Sequence, residues 1–174
     1  MLAIKIEPLV GIHIDTIGSI QLGASKKEIE AILKKPSSSS DAKQFCYDHY
    51  EMIINFDAHN RVEFIEFIYG PNPKRTQLNV YGIDPFKLDA DALIALLSEK
   101  NDGPIDDSEA KFGYAFLNLS VGIWRDATEE DVQESIDELT KSGEYEENKE
   151  WLLEDLEKSK HFWTIGIGVK DYYN

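Results

Sequence analysis

The stretch MIINFDAHNRVEFIEFIY, residues 52–69, predicts the central hairpin of the fold. Residues 52–56 are mostly apolar, and residues 57–60 carry the aspartate, histidine and asparagine that favour a turn. Residues 62–69 form the predicted return strand, and its apolar side chains point to both faces of the sheet. We therefore expect one face of this strand to pack against a helix and the other to meet a second layer.

A helix precedes this hairpin in the sequence. Ser25 and Glu28 have the spacing of a capping box, and Ile29, Ile32 and Leu33 follow as an apolar stripe at helical intervals. Pro36 ends the predicted helix, because proline cannot continue the backbone hydrogen-bond pattern. Residues 4–22 are apolar with interspersed glycines and predict extended segments joined by turns.

The second half of the chain follows a similar order. A shift of 64 residues places Ser25 on Asp89 and Ile29 on Leu93 without a gap, so a helix start and an apolar stripe coincide. A strand-rich stretch from Phe112 to Trp124 follows, with alternating apolar residues. We interpret residues 1–174 as one domain with two tandem helix-plus-hairpin halves, 11–70 and 75–174; two unrelated amphipathic helices would align in a similar way.

Residues 128–160 interrupt this order and predict an acidic helical insert. Thr128 begins the first helix and Gly143 separates it from a second, and the segment holds 13 Asp or Glu residues against four Lys. A last strand follows, with isoleucines on one face and glycines on the other. The sequence thus predicts an α+β fold, an antiparallel sheet with helices on one side.

The charge of the chain limits its partners. It carries 33 acidic and 18 basic side chains, a formal net charge of −15 and a pI of about 4.6. Such a field repels nucleic acid and anionic membranes and attracts basic proteins, although acidity that serves solubility alone is the alternative. Cys46 is the only cysteine, so we expect no internal disulfide and a structural thiol in a strand. No apolar run has membrane-spanning length, and we expect a cytoplasmic protein.

The sequence contains no recognisable catalytic motif. The four histidines are scattered, and the pairs His13/Asp15 and Asp57/His59 are typical of solvated turns. We therefore expect no catalysis, no metal and no cofactor. An enzyme of unrecognised type stays an alternative, and it would need a pocket that holds His13, His49 or His161 with carboxylates.

Two groups of residues are candidate partner-binding surfaces. The first is the outward face of the acidic helices, for which a merely solvated face is the alternative. The second is an aromatic strand face, for which core packing is the alternative. The acidic group comprises Glu129, Glu130, Glu134, Asp137, Glu138, Glu146, Glu147 and Glu150, and the aromatic group comprises Tyr114, Phe116 and Trp124.

Residues 18–36, with the glycine turn Gly18–Gly23, the capping box and Pro36, carry a resemblance to known families. They resemble the start of the β-lactamase-inhibitor-like and outer-membrane-assembly-lipoprotein-like repeats of small bacterial proteins, although the acidic insert at 128–160 is not part of such repeats. In size and charge the chain is similar to small acidic immunity proteins of polymorphic toxin systems. The resemblance implies a cytoplasmic immunity or inhibitor protein that binds a basic toxin domain, such as a nuclease. A small-molecule-binding or structural housekeeping protein is the alternative.

Overall fold

Two β-sheets and two of the four α-helices share one core in the computed structural model, which describes residues 1–174. A single 3-10 turn spans Pro85–Lys87. The helices are α1 (Lys26–Leu33), α2 (Ala90–Asn101), α3 (Glu129–Ser142) and α4 (Tyr145–Ser159). The strands are β1 (Leu2–Glu7), β2 (Gly11–Ile14), β3 (Gly18–Gln21), β4 (Gln44–Tyr47), β5 (Met52–Phe56), β6 (Val62–Phe67), β7 (Thr76–Val80), β8 (Ile105–Asp106), β9 (Gly113–Phe116), β10 (Val121–Trp124) and β11 (Thr164–Gly168).

The larger sheet has seven strands in the order β4-β5-β6-β11-β10-β9-β8, and every neighbouring pair is antiparallel. The predicted hairpin is confirmed as β5 and β6, with the turn at residues 57–61. At the centre of the sheet Ile65 of β6 pairs with Ile167 of β11. Both side chains are buried, so the apolar hairpin and the last strand form the middle of the molecule.

The smaller sheet has four strands in the order β3-β2-β1-β7. This sheet adds to the predicted antiparallel sheet: residues 2–21 form it together with β7, and β1 pairs with β7 in parallel. Parallel neighbours require a long connection, and six elements lie between β1 and β7 in the chain: β2, β3, α1, β4, β5 and β6. This non-local pairing has no local sequence signal.

The helices α1 and α2 pack into the core, where α1 contacts β3 of the smaller sheet and α2 contacts β9 of the larger sheet. The predicted capping box is confirmed, since the Ser25 side chain accepts from the Glu28 amide and the Glu28 carboxylate accepts from the Ser25 amide at 2.7 Å. Ile29 is fully buried and joins both sheets in one core cluster. Burial of one such side chain stabilises the fold by roughly 1.5–3 kcal/mol. The α+β fold class is confirmed.

The two halves of the chain share some features. Ser25 and Asp89 are the N-caps of α1 and α2, and Ile29 and Leu93 are both fully buried four residues later. The last strands of the two halves, β6 and β11, are neighbours at the centre of the larger sheet. These correspondences concern helix starts and strand order, and the tandem repeat of 11–70 and 75–174 stays a prediction.

The predicted strand from Phe112 to Trp124 is two strands. Residues 117–120 reverse the chain, and the Asn101 side-chain oxygen at the end of α2 accepts the amides of Asn118 at 2.9 Å and Leu119 at 3.2 Å. Because the alternation of apolar residues continues through this turn, the sequence pattern hides it.

The reversal changes which aromatic side chains share a face. Phe116 pairs with Val121 and Tyr114 with Ile123, so these residues face the core, whereas Trp124 pairs with Gly113 on the opposite face. The prediction that Tyr114, Phe116 and Trp124 share one face is therefore wrong.

The last strand follows its predicted pattern. In β11, Ile165 and Ile167 point into the core, and Gly166 and Gly168 lie on the other face. Cys46 lies in β4, as predicted for a strand thiol. None of the helices combines the length and apolar character that a membrane crossing requires.

Candidate functional site

The acidic insert is a helical hairpin, α3 followed by α4, placed between the neighbouring strands β10 and β11. The two helices pack mainly against each other. Val132 and Leu152 are buried, yet neither belongs to the core cluster of the sheets. The hairpin is thus an appendage with its own small apolar interior.

Arg125, just before α3, fixes the two ends of this hairpin. Its Nη1 donates to the carbonyl of Ser159 at 2.8 Å, and its Nε donates to the carbonyl of Lys111 at 2.7 Å. The guanidinium also lies over the Phe162 ring, 5.1 Å from the centroid. One planar cation therefore joins the start of the insert, its end and the β8–β9 loop.

The start and the middle of the hairpin are defined by capping groups. The Asp131 carboxylate accepts from the Thr128 hydroxyl at 2.6 Å and from the Thr128 amide at 2.8 Å, which completes a capping box. These hydrogen bonds, the side-chain one above all, lower the pKa of Asp131. Gly143 ends α3 with a φ of 83°, which side chains disfavour. The acidic helices therefore begin and end at defined residues.

All of the predicted acidic contact residues are exposed. Along one side of the hairpin an open hollow of about 750 Å³ is lined by five α3 residues and by Leu156 of α4, with no basic side chain among them. We call this surface the acidic hollow; its α3 residues are Glu129, Glu130, Gln133, Glu134 and Asp137. Glu138 follows Asp137 on α3, and Glu146, Glu147 and Glu150 lie on α4.

Lysines neutralise part of this charge. Lys111 pairs with Glu130 at 2.6 Å, which raises the pKa of the lysine, and Lys158 pairs with Glu154 at 2.7 Å. Lys149 lies 3.9 Å from Glu146. The negative charge of the helices is therefore partly compensated at these positions. Six of the predicted contact residues form no ion pair: Glu129, Glu134, Asp137, Glu138, Glu147 and Glu150.

Two exposed apolar residues of α4 were missed by the sequence prediction. Trp151 is 46% exposed and Leu153 is 48% exposed, and the Trp151 indole donates to the Asn148 side chain at 3.0 Å. The helical spacing of the apolar residues predicts this exposure, because Leu152 and Leu156 form the inward stripe of α4. Trp151 and Leu153 lie outside that stripe. Aromatic side chains, tryptophan among them, are enriched at protein-binding surfaces.

A second concave region lies on the outer face of the larger sheet. We call it the outer-face cleft; its volume is about 410 Å³. It is lined by Phe64 and Glu66 of β6, by Trp124 of β10, and by Tyr172 and Tyr173 after β11. Its wall also includes Asp106, Ser108 and Glu109. Phe64 stacks on Tyr172 with ring centroids 4.6 Å apart, so the cleft has an ordered aromatic wall.

The three aromatic residues predicted as anchors have different environments. Phe116 is fully buried in the core, so its prediction as a surface contact is wrong. Tyr114 is half-buried and meets the Phe162 ring edge-on at 6.1 Å. Trp124 is 42% exposed and lines the outer-face cleft. Only Trp124 keeps the exposure that a contact residue needs.

The histidines lie in different elements. His13 of β2 is within 3.0 Å of the Ser19 hydroxyl, His49 lies in the β4–β5 turn, and His161 is 2.8 Å from the Leu88 carbonyl. His13 borders a shallow hollow that it shares with Asp15. No three His, Cys, Asp or Glu side chains converge as metal ligands would.

Comparison of the chain with protein-family models, with curated proteins and with solved structures finds no match.

Proposed function

We propose that this protein is a non-catalytic binding protein that neutralises a basic protein, most specifically a toxin domain such as a nuclease, by stoichiometric binding. The observation that carries the proposal is the acidic hollow. Four carboxylates lie there on a helical hairpin that has its own interior, and only Glu130 among them forms an ion pair. A basic active-site cleft that binds phosphate groups is complementary to such a surface.

Charge alone gives rapid association but little affinity, so apolar anchors are needed as well. Trp151 and Leu153 supply them on the same hairpin, because each leaves nearly half of its side-chain surface exposed. Tryptophan in particular is enriched among residues that dominate binding energies. The pairing of a carboxylate row with exposed apolar residues supports a protein partner over a solvated helix face.

The test is charge reversal on the hairpin against charge reversal elsewhere. The hairpin variant combines Glu130→Lys, Glu134→Lys, Asp137→Lys and Glu138→Lys. The matched control carries the same change of net charge on exposed residues outside the insert: Glu30→Lys, Asp48→Lys, Glu99→Lys and Asp107→Lys. Both variants and the unaltered protein are used as bait in lysate of the source organism, with elution at rising salt.

We expect the unaltered protein and the control to retain the same basic protein and to release it at high salt, since exposed charges are screened there. The hairpin variant should not retain it. The captured protein should lose its own activity when one equivalent of the unaltered protein is added. Retention of the same protein by the hairpin variant, at the same salt, would contradict the proposal.

A second candidate function is the binding of a small molecule. The outer-face cleft favours it, because its volume lies within the range of ligand pockets, roughly 300–1,000 Å³, and aromatic rings line it.

A further inference from the structure

The outer-face cleft combines aromatic walls with a carboxylate that has no cationic partner. Burial raises the pKa of Glu66, and among its neighbours only the Thr164 hydroxyl counteracts that rise. None of the residues that line the cleft is lysine, arginine or histidine. A half-buried carboxylate without a counter-ion destabilises the folded protein, unless a ligand supplies the positive charge.

Glycines in the strands beneath the cleft let the aromatic rings lie close to the sheet, and Gly122 among them lines the cleft itself. Gly122 of β10 and Gly166 of β11 are paired, and Glu66 of β6 pairs with Gly166 on the next strand. A Cβ atom at Gly122 would lie 2.1 Å from the Tyr173 hydroxyl oxygen, and one at Gly166 would lie 2.2 Å from the Phe64 ring. The absence of side chains here lets both rings lie directly on the sheet beside the carboxylate.

The walls add further negative charge and polarisable surface. Asp106 and Glu109 line the same cleft, and Trp124 presents its exposed indole to it. Aromatic rings attract a cation that lies within about 6 Å of their face, and tryptophan does so most strongly. Such walls attract an organic cation, whose alkyl part can contact the rings while its charge meets the carboxylate.

A metal ion fits this cleft less well. Cations such as Mg²⁺ and Ca²⁺ need several oxygen ligands at once, and no three carboxylates converge in this protein. A guanidinium or ammonium group needs only one or two carboxylates and gains from contact with rings.

We propose that the outer-face cleft is a binding site for a small organic cation of the alkylguanidinium or alkylammonium class, with Glu66 as its counter-ion and Trp124 as a wall of the cation site. The proposal does not depend on the toxin-binding function, because the cleft and the acidic hollow have no residue in common. Glu66 binds the cation, and Phe64, Tyr172 and Tyr173 shape the space around it.

The test uses butylguanidinium and its neutral near-isostere butylurea, titrated into ¹⁵N-labelled protein. We expect saturable shifts of the Gly122 and Gly166 amides with butylguanidinium, and binding of butylurea about tenfold weaker or absent. Equal affinity for the two probes would overturn the proposal. So would shifts confined to α3 and α4, since these would indicate a diffuse attraction to acidic helices.

Variants separate direct contact from net charge. Glu66→Gln should weaken butylguanidinium binding about tenfold, because a charge-assisted hydrogen bond is lost. Glu63→Gln, on the same strand, removes the same charge from a residue that borders a different hollow and should leave the affinity unchanged. Equal effects of the two changes would refute the assignment of Glu66.

Trp124→Leu provides an independent measurement at an exposed position and should weaken binding several-fold through the lost cation–ring contact. If Glu66→Gln failed to fold, this variant and the comparison of the two probes would still decide the question. Unchanged affinity in Trp124→Leu would overturn the role of the aromatic wall.

Discussion

Glu51 joins the two sheets, and its replacement is the most direct test of the fold. The residue lies in the turn between β4 and β5 and is 5% exposed. Its carboxylate accepts the amides of Lys74 at 2.7 Å, Arg75 at 3.1 Å and Thr76 at 3.1 Å, and the Thr76 hydroxyl at 2.6 Å. One side chain of the larger sheet therefore holds the segment that enters β7 of the smaller sheet.

We expect Glu51→Gln to lower the free energy of unfolding by about 3 kcal/mol. Glutamine has one acceptor oxygen where glutamate has two, so two of the four hydrogen bonds are lost. The side-chain NH2 group of the glutamine would also face N–H donors, and it has no acceptor atom for them. An unsatisfied buried donor costs about 1–3 kcal/mol. The loss is a large part of a typical total of about 5–15 kcal/mol.

The measurement is urea unfolding at pH 7, followed by circular dichroism. Glu99→Gln is the matched control, because Glu99 is exposed and pairs only with Lys100 at 2.9 Å. A surface ion pair of this kind contributes at most about 1 kcal/mol. A loss in Glu51→Gln no larger than in the control would refute the view that this carboxylate joins the sheets.

The same residue predicts a dependence on pH. Burial alone would raise the pKa of Glu51, but the four hydrogen bonds together hold it below its ordinary value. A glutamate with a lowered folded-state pKa contributes stability that is present above its unfolded-state pKa and is lost as the pH falls through the folded-state pKa. The stability difference between the unaltered protein and Glu51→Gln should therefore be complete at neutral pH and shrink only in acid, below about pH 4.5.

Two further predictions concern the small sheet and the cleft. Gly11→Ala should destabilise the protein by at least about 3 kcal/mol, because the new Cβ would lie 2.0 Å from the Ile20 carbonyl oxygen. Gly18 also has a positive φ, but no atom lies within 4 Å of a Cβ there, so Gly18→Ala should destabilise the protein by only about 1–2 kcal/mol. Similar urea midpoints for the two variants would contradict the close approach at Gly11. Because burial raises the pKa of Glu66, its charged form destabilises the fold as the pH rises through that pKa. Glu66→Gln should thus be more stable than the unaltered protein at pH 7 and equal to it at about pH 4 or below. Equal thermal midpoints of the two proteins at pH 7 would contradict a destabilising effect of the charged Glu66 carboxylate.

The parts of the fold that sequence predicts well depend on local chemistry. The capping box at Ser25 and Glu28, the turn at residues 57–61 and the N-cap at Asp89 are each set by a few neighbouring residues. The charge of α3 and α4 is local in the same sense, so its exposure was predictable from the helical period.

The parts that sequence misses depend on contacts between distant residues. The turn at 117–120 is stabilised by Asn101, which lies on another element, and the apolar alternation through Leu117 and Leu119 concealed it. The faces of Phe116 and Trp124 follow from that turn and were therefore assigned wrongly. The outer-face cleft combines residues from β6, β10 and the segment after β11, which no spacing along the chain brings together.

The attachment of the acidic hairpin has a consequence for how such a protein can change. Trp124 and Thr164, which flank the insert, are directly paired across β10 and β11, so a short turn could join these strands in its place. Since α3 and α4 contribute nothing to the core cluster, their length and sequence can vary while the sheet keeps its register. The two sheets and their core are therefore the constant part of the fold, and the α3–α4 hairpin is the part that can be exchanged. Related chains could acquire new binding specificities by substitution in residues 128–160 alone, and foreign helical segments could be grafted there by design.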